Sequence, residues 1–347
     1  PALRRALARA GRPRLFHLAG RSHHTLTQLI HNCAAAESGK CELPDIFTGS
    51  EAFIPQVEEL FPGPPRTFLY ICAMEGGLAL DLRIIQTLLR LGHKGILTLK
   101  EALEFNKNVN KEGDFQLTSC CCPMWIAMIR RLYHELMPNV PGSVSPMIAG
   151  GRTVKVLHPN AKTVFIGPCM AKKAEIKEPD LKGAIDYVLT YEELRDLFTT
   201  TDIDLEHLEE DNVPHASRAG IRYAYAGGVA EAVAATVKRL DPNRKIEVKV
   251  RRADSVPDCK AMIDSILKGN REGNFFEGMG CRGGCVGGPK ALVPKEQGKL
   301  NVMAYSDEST YKTPAENPYV IELLKQLGFE TVEEFLTKSD LYDRKFD

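Results

Sequence analysis

The sequence lacks the features that point to several classes of partner. Its 45 basic and 45 acidic side chains cancel, so net charge favours neither a nucleic acid nor an anionic membrane surface. It has no run of about 18 apolar residues, and we therefore expect no membrane-spanning helix. The basic N-terminus lacks the apolar core of a secretory signal. A truncated N-terminus would look the same, and the cytoplasmic location that we expect rests instead on the irregular spacing of the cysteines.

Internal repeats and low-complexity segments are also absent, and 347 residues are enough for two lobes. A proline-rich breaker at 61–65 predicts a domain boundary. We expect an N-terminal segment without a cluster-binding motif, followed by a domain of two lobes and a helical tail. The predicted bounds are 1–60 for the segment, 61–347 for the domain, about 61–150 and 151–305 for its lobes, and 306–347 for the tail.

Buried strands alternate with helices along the chain, which is typical of an α/β fold with mostly parallel sheets flanked by helices. Cys259 falls on the apolar face of one predicted helix, and we expect it in the core. Strands are predicted at 67–72, 96–98, 163–167 and 245–251. Helices are predicted at 82–91, from 101 onwards, and at 123–137, 190–198, 228–240, 259–266, 318–327 and from 331 onwards.

The ten cysteines are irregularly spaced, which is atypical of a secreted disulfide scaffold of this size and indicates metal-bound or catalytic thiols. Cys120, Cys121 and Cys122 are consecutive and precede Pro123. Proline is favoured in the first turn of a helix, and the positive end of a helix favours thiolate. An inert buried thiol cluster is the alternative, but such clusters rarely contain three neighbours.

Further thiols follow two other elements. Cys169 comes after the predicted strand at 163–167, where ligands bind in open α/β sheets. Cys281 and Cys285 lie in a glycine-rich loop whose backbone N–H groups can approach a cluster closely. A disulfide in this loop is unexpected in a reducing compartment. With Cys122, these thiols could bind zinc or an iron–sulfur cluster, and the absence of a Cys-x2-Cys pair favours the cluster.

Three motifs around these thiols resemble those of the catalytic domain of the FeFe-hydrogenases. The first is Ser-Cys-Cys-Cys-Pro-Met-Trp at 119–125, and the second is Gly-Pro-Cys-Met-Ala-Lys-Lys-Ala-Glu at 167–175. The third is Glu-Gly-Met-Gly-Cys-Arg-Gly-Gly-Cys at 277–285. The resemblance extends from about residue 67 to the C-terminus. It implies that two α/β lobes close over a buried cofactor.

The cofactor implied by the resemblance is the H-cluster, in which a 4Fe–4S cube is joined to a two-iron subsite. The subsite carries CO, cyanide and azadithiolate ligands, and Cys285 would bridge it to the cube. Lys172 would bind one cyanide by a charge-assisted hydrogen bond, Ser145 would lie near the other, and Met279 would pack beside the two irons. The four cube ligands would be Cys122, Cys169, Cys281 and Cys285.

The same resemblance implies a proton relay. Cys121 would pass protons to the bridging amine, and Glu101 and Glu104 would connect Cys121 to solvent. Without the motifs, the two glutamates would be read as an exposed acidic face of a helix. Glu175 is an alternative acid near the second motif.

The chain departs from the family's pattern at four positions. Pro141 stands where a relay serine is expected, and Asn108 replaces the arginine at the outer end, so the predicted exit path is interrupted. Gly167 replaces a methionine that packs against the two-iron site, which would leave more room or more water. Cys120 is an additional thiol where the family has serine. These departures resemble divergent, sensory branches of the family.

The sequence therefore predicts a hydrogenase, an oxidoreductase that interconverts protons and H2. Its electron donor would be a ferredoxin-like protein or a partner subunit, and dedicated maturation proteins would supply the two-iron unit. Two alternatives remain open. One is a slow H2 sensor that signals to a partner, favoured by the interrupted relay. The other is an iron–sulfur assembly protein that binds ordinary clusters only, which Lys172, Met279 and Cys121 disfavour.

Overall fold

The computed structural model describes residues 67–70, 93–118, 121–159, 162–201 and 216–346. The predicted N-terminal segment, the boundary at 61–65, the helix at 82–91 and Cys120 lie outside these residues. Within the described ranges, no helix combines the length and apolarity that crossing a membrane requires.

The described strands are β1 (Thr67–Tyr70), β2 (Gln116–Leu117), β3 (Lys162–Gly167), β4 (Tyr187–Thr190), β5 (Val250–Asp254) and β6 (Phe275–Met279). The described α-helices are α1 (His93–Asn108), α2 (Pro123–Leu132), α3 (Pro146–Leu157), α4 (Ala171–Glu175), α5 (Tyr191–Thr201), α6 (Arg218–Ile221), α7 (Gly228–Leu240), α8 (Val256–Leu267), α9 (Lys295–Asp307), α10 (Pro318–Gln326) and α11 (Val332–Lys338).

These strands form two three-stranded sheets in which every neighbouring pair is parallel. The first sheet has the order β1–β3–β4 and the second has the order β2–β6–β5. Because parallel neighbours require crossover connections, helices lie between consecutive strands in the chain. The predicted α/β class with mostly parallel sheets flanked by helices is confirmed.

The central strand of the second sheet, β6, is buried along its whole length and packs against the core on both faces. Successive strand residues point to opposite faces, and Phe275 and Phe276 accordingly pack on different partners. The Phe275 ring meets the edge of Phe105 on α1 at 5.7 Å between centroids. The Phe276 ring meets Phe115 at 5.8 Å, in a cluster that also contains Trp125 of α2. This two-sided packing fixes the loop that follows β6.

Three predicted element boundaries are wrong. The residues predicted as a strand at 96–98 belong to α1, which starts at His93 and not near 101. Most of α1 is buried, and a short apolar run does not distinguish a buried helix from a strand. Helix α2 ends at Leu132, and a 3-10 helix follows at His134–Asn139, because Pro138 has no N–H for a further α-helical bond.

The strand predicted at 245–251 lies later in the chain, as β5. The alternating residues Ile246 and Val248 precede the strand and pack, partly buried, against the core around α7. The alternation of apolar and polar residues before β5 therefore results from packing of Ile246 and Val248 on the core, and not from pairing with a neighbouring strand.

The capping box predicted at 190–193 is present, with the Thr190 hydroxyl accepting from the N–H of Glu193 and the Glu193 carboxylate accepting from the N–H of Thr190. At 331–334 only half of the predicted box forms: the Thr331 hydroxyl accepts from the N–H of Glu334, whereas the Glu334 carboxylate accepts from the N–H of Glu330.

Candidate metal centre

Cys122 lies at the N-cap of α2 in an extended conformation, directly before Pro123. Its sulfur accepts a hydrogen bond from the backbone N–H of Gly280, at 3.4 Å. This contact joins the first thiol motif to the loop after β6. Cys169 lies between the end of β3 and the start of α4, at the carboxyl edge of the first sheet, as expected for a ligand-binding position in such a fold.

Cys281 and Cys285 lie in the loop that follows β6. Gly283 and Gly284 both have positive φ, at +83° and +84°, a conformation that L side chains rarely adopt. A Cβ at Gly284 would also lie 2.4 Å from the backbone nitrogen of Ala226. The N–H of Gly283 donates to the carboxylate of Asp254 on β5 at 2.7 Å. Glycine is thus required for the turn that brings both thiols to the same side.

One cavity is lined by all four cysteines that the sequence proposes as cube ligands. Cys122, Cys169, Cys281 and Cys285 contribute to its wall together with glycine, proline and aromatic residues. None of these thiols is in a disulfide. Among the described residues, no group of three or more His, Cys, Asp or Glu could hold a single metal ion. A cubic cluster differs from a single ion because its four thiolates are spread over separate irons.

Burial raises the pKa of three of these thiols, Cys169, Cys281 and Cys285. For Cys281 the pKa rises to about 11 through burial, with further effects from Cys122 and Cys169. For Cys285 burial raises the pKa well above its usual value, and the neighbouring thiols act in the same direction. Neighbouring thiols raise one another's pKa because thiolate charges repel. A cationic metal centre removes this repulsion, and the thiols lose their protons when they bind it. The four thiols, with close glycine backbone, therefore fit a 4Fe–4S cluster.

A second cavity adjoins the first. Five residues line both cavities: Cys121, Cys122, Lys172, Met279 and Cys285. The second cavity is further enclosed by Lys94, Pro146, Met147 and Tyr223. Its exposed surface is almost entirely apolar, so Lys94, Lys172 and Tyr223 line it mainly with carbon atoms. A polar or charged group bound there would need a hydrogen-bonding partner from its wall.

The ammonium of Lys172 donates to the carboxylate of Glu175 one helical turn later, at 2.7 Å. Both side chains are almost completely buried, at 3% and 1% exposure. Lys172 lines both cavities, whereas its partner Glu175 lies further along α4 and lines neither. The second carboxylate oxygen of Glu175 is buried without a hydrogen bond in the described structure.

Ser145 lies next in the chain to residues of the second cavity and caps a helix. It is the N-cap of α3, where its hydroxyl accepts a hydrogen bond from the N–H of Ile148 at 3.4 Å. It lines neither cavity, whereas the next two residues, Pro146 and Met147, line the second. The described position thus gives Ser145 a capping role.

The predicted relay residues extend from the cavities along α1. Cys121 is buried on the wall of both cavities, and burial raises its pKa, with Cys122 and Glu101 acting in the same direction. Glu101 is buried on α1 at 3% exposure. Glu104 lies one turn further along the same helix, and burial raises its pKa to about 7. The structure therefore brings these three groups into one region but does not place the glutamates in a cavity wall.

Four residues of the second cavity were missed from the sequence, two of them polar: Lys94 and Tyr223. Lys94 is 8% exposed, and among the described residues its ammonium has no hydrogen bond or ion pair. Tyr223 shares a 2.6 Å hydrogen bond with Thr98 of α1. Lys94 could have been recognised only if α1 had been predicted to begin at His93, since that start places it on the buried face.

The space beside Gly167 is partly taken up by an aromatic ring. Gly167 is buried at the end of β3, and a Cβ there would lie 2.9 Å from the ring of Phe165. Phe165 also lines the cavity with the four thiols. Residues 165 and 167 are on the same face of the strand, so the ring of Phe165 occupies space that a larger residue 167 would need. The Phe165 ring therefore takes part of the room that a larger side chain at 167 would occupy.

Comparison with known proteins identifies the family. Residues 92–289, more than half of the chain, match the model described as "Iron only hydrogenase large subunit, C-terminal domain". The chain belongs to this family. Iron hydrogenase 1 of Clostridium pasteurianum is 26% identical over 246 residues, which are 59% of this chain and 43% of that protein. The periplasmic [Fe] hydrogenase large subunit of Nitratidesulfovibrio vulgaris is 29% identical over 238 residues, 56% of each chain.

The iron-only hydrogenase fold is also evident in solved structures. The [FeFe]-hydrogenase HydA(deltaEFG), whose structure concerns stepwise H-cluster assembly, superposes with a TM-score of 0.62 at 20% identity, covering 85% of this chain and 98% of that one. A variant of [FeFe]-hydrogenase HydA1 from Chlamydomonas reinhardtii gives 0.60 at 19% identity, with 85% and 98% coverage. The chain spans about half the length of the curated relatives that it matches.

Proposed function

We propose that this chain is an FeFe-hydrogenase that reversibly reduces protons to H2 at an H-cluster. The observation that carries this proposal is the pair of adjoining cavities. One is lined by four cysteines from three separate loops, and the other shares Cys285, Lys172 and Met279 with it. Membership of the iron-only hydrogenase family supports the same function.

Cys122, Cys169, Cys281 and Cys285 would hold the 4Fe–4S cube in the first cavity. Cys285 lines both cavities, as a thiolate that bridges the cube to a two-iron subsite must. When bound, the two-iron subsite with its CO, cyanide and azadithiolate ligands supplies the centre at which protons and electrons combine. The protein's part is to exclude water, hold the ligands and deliver protons.

Lys172 and Met279 would form the wall against the two-iron subsite. The buried ammonium of Lys172 is suited to a charge-assisted hydrogen bond with a cyanide ligand, and Glu175 would orient it from behind. The side chain of Lys94 lies in the wall of the same cavity. Met279 is 2% exposed and supplies an apolar, polarisable surface.

Proton delivery would run from Glu104 through Glu101 to Cys121. Cys121 lines the second cavity, and both acids lie on α1 with their side chains largely buried. We further propose a ferredoxin-like protein or a partner subunit as electron donor, dedicated maturation proteins as the source of the two-iron unit, and the cytoplasm as the location.

The test is infrared spectroscopy and gas analysis on the full chain after anaerobic maturation. The expected result is absorption from bound CO and cyanide, together with H2 evolution from a soluble reductant and H2 oxidation with a dye. A 4Fe–4S cluster without CO and cyanide bands would reject the proposal in favour of an iron–sulfur assembly protein. Bands with very slow turnover would favour an H2 sensor.

A further inference from the structure

A group of charged residues lies beside Glu104. The ammonium of Lys100 lies 3.9 Å from Oε1 of Glu104, and it is ion-paired with the carboxylate of Asp343 near the C-terminus. Lys100 also donates to the carbonyl oxygen of Gly142 at 3.2 Å. The exposed fractions of the side chains are 6% for Lys100, 27% for Glu104 and 41% for Asp343, so Lys100 is the most buried of the three and Asp343 the most exposed. Asp343 thus provides the buried ammonium of Lys100 with a carboxylate partner that reaches solvent.

The position of Asp343 is fixed by the segment that contains Pro141. Residues 143 and 343 form an isolated antiparallel bridge, and the N–H of Arg344 donates to the carbonyl of Gly142 at 2.9 Å. The C-terminal segment therefore lies beside the residue that replaces the expected relay serine. Asn108, which replaces the expected arginine, is exposed at the end of α1.

Glu104 is also suited to receive a proton. Its Oε2 atom is buried and has no hydrogen-bond partner in the described structure. Burial raises its pKa to about 7, Lys100 and Lys107 oppose this increase, and Asp343 adds to it. The charged groups that shift the pKa of Glu104 are thus Lys100 and Lys107 on α1 and Asp343 in the C-terminal segment.

We propose that Lys100 and Asp343 form the solvent end of a proton path to Glu104, in place of the missing serine and arginine. This inference rests on the proposed hydrogenase function, for which it supplies the missing exit. In the inward direction, the Asp343 carboxylate takes a proton from hydronium and releases water. Lys100 gives one proton to the Glu104 carboxylate and takes the proton of the Asp343 carboxyl group. One proton moves inwards, and Lys100 and Asp343 return to their initial states.

The transfer between Lys100 and Glu104 requires a small movement. Their 3.9 Å separation must shorten by about 1 Å to reach hydrogen-bond distance. The alternative is that Lys100 and Asp343 form only a structural ion pair that anchors the C-terminal segment. The two roles make different demands on residue 100, since an ion pair needs only positive charge whereas a relay needs a proton that can leave.

Lys100→Arg separates these roles, because guanidinium keeps its charge but does not give up its proton. In the matured full chain, we expect Lys100→Arg and Asp343→Asn each to slow H2 evolution at least tenfold and to increase its solvent deuterium isotope effect. Asp340→Asn, at an exposed position three residues before Asp343, should keep the wild-type rate. Thermal unfolding of all variants shows whether each is folded.

A second readout uses the protein without its cofactor. The carboxylic C=O stretch of Glu104, assigned by its loss in Glu104→Gln, reports protonation as pH changes. We expect Asp343→Asn to lower the midpoint, Lys100→Met to raise it, and Lys100→Arg to leave it near the wild-type value. Normal titration with slow turnover in Lys100→Arg is the signature of a relay.

The inference is overturned if the wild type evolves H2 and Lys100→Arg retains both its rate and its isotope effect. It is also overturned if the Glu104 midpoint is unchanged in both Asp343→Asn and Lys100→Met. A matured wild type without CO and cyanide bands and without H2 evolution overturns the proposed function, and the inference with it. The failure of the function and the failure of the proton path are therefore distinguishable.

Discussion

Gly278 lies directly against the indole ring of Trp125, and a Cβ at residue 278 would be 2.0 Å from ring atom Cε3. Trp125 follows Cys122 by three residues on α2, and Gly278 precedes Cys281 by three residues on β6. The contact therefore sets the distance between two segments that carry thiols. Because Trp125 is completely buried, its ring cannot move into solvent to make room.

Gly278→Ala should destabilise the protein by about 1–3 kcal/mol, the usual cost of overpacking a core. Denaturant unfolding of the cofactor-free protein measures this change, and iron binding should weaken in parallel. Gly220→Ala is the matched control, since its Cβ would meet only the hydroxyl oxygen of Ser217, at 3.3 Å. Equal stability of the two variants would show that the indole contact does not constrain residue 278.

Glu277 connects β6 to the start of α7. Its two carboxylate oxygens accept hydrogen bonds from the N–H groups of Gly227 and Ala230, both at 2.7 Å. Burial raises the pKa of Glu277 to about 7 although these hydrogen bonds favour the carboxylate. Glu277→Gln turns one acceptor into a donor that faces an N–H group, and should cost about 1–3 kcal/mol.

The control for this variant is Glu231→Gln on the exposed side of α7. Glu231 accepts one hydrogen bond, from the Tyr225 hydroxyl at 2.9 Å, which an amide oxygen can also accept. Urea unfolding near pH 8 should therefore show a clearly larger loss for Glu277→Gln than for Glu231→Gln. A loss no larger than that of Glu231→Gln would mean that the hydrogen bonds from the backbone N–H groups to Glu277 contribute little to stability.

The stability of the protein should depend on the protonation of Glu104. Its pKa rises from 4.5 in the unfolded chain to about 7 in the fold, so the folded state binds the proton more tightly. This contribution is fully present below pH 4.5 and is lost as pH rises through about 7. At about 1.4 kcal/mol per pKa unit, its full size is about 3 kcal/mol.

Glu104→Gln should remove this part of the pH dependence. Unfolding free energies measured at intervals from pH 5 to pH 8 should fall less steeply with pH for the variant than for the wild type. The exposed Glu112→Gln should leave the slope unchanged. If the wild-type and Glu104→Gln slopes coincide, Glu104 ionises in the fold as it does in the unfolded chain.

Local patterns predicted most of the fold. The helix that ends at Leu240 and the N-caps at Thr190 and Thr331 were predictable because caps and apolar spacing are properties of short segments. The start of α1 was not, because its first turns are buried on several sides and show no clear period. The position of Lys94 on a cavity wall depends on that start, and it was missed for the same reason.

The candidate site was predictable only in part. The sequence indicated which thiols belong together, but their arrangement around one cavity depends on packing between distant elements. The role of Phe165 beside Gly167 follows from a side-chain position that no motif contains. Likewise, Asp343 is 239 residues beyond Glu104 in the chain, and its proximity to Lys100 results from the bridge between residues 143 and 343.

Cys169→Ala should prevent stable binding of the 4Fe–4S cluster, because it removes one of four thiols around the first cavity. Iron content and the visible charge-transfer absorption after reconstitution measure the loss. Cys259→Ala is the matched control: Cys259 is completely buried in α8, and its thiol donates to the carbonyl of Met279 at 3.4 Å. It should lose stability but retain iron. A Cys169→Ala variant with full cluster content would exclude Cys169 as a ligand.

Cys121→Ser should abolish most H2 evolution while leaving cluster content unchanged. Cys121 lines both cavities but is not among the four proposed cube ligands, so removal of its thiol interrupts proton delivery and not metal binding. A lost proton-transfer group typically slows turnover by about a hundredfold or more. Iron content, CO and cyanide bands and H2 evolution should be measured on the same sample. Wild-type evolution in a fully loaded variant would place the path elsewhere, with Glu175 behind Lys172 as the next acid to replace.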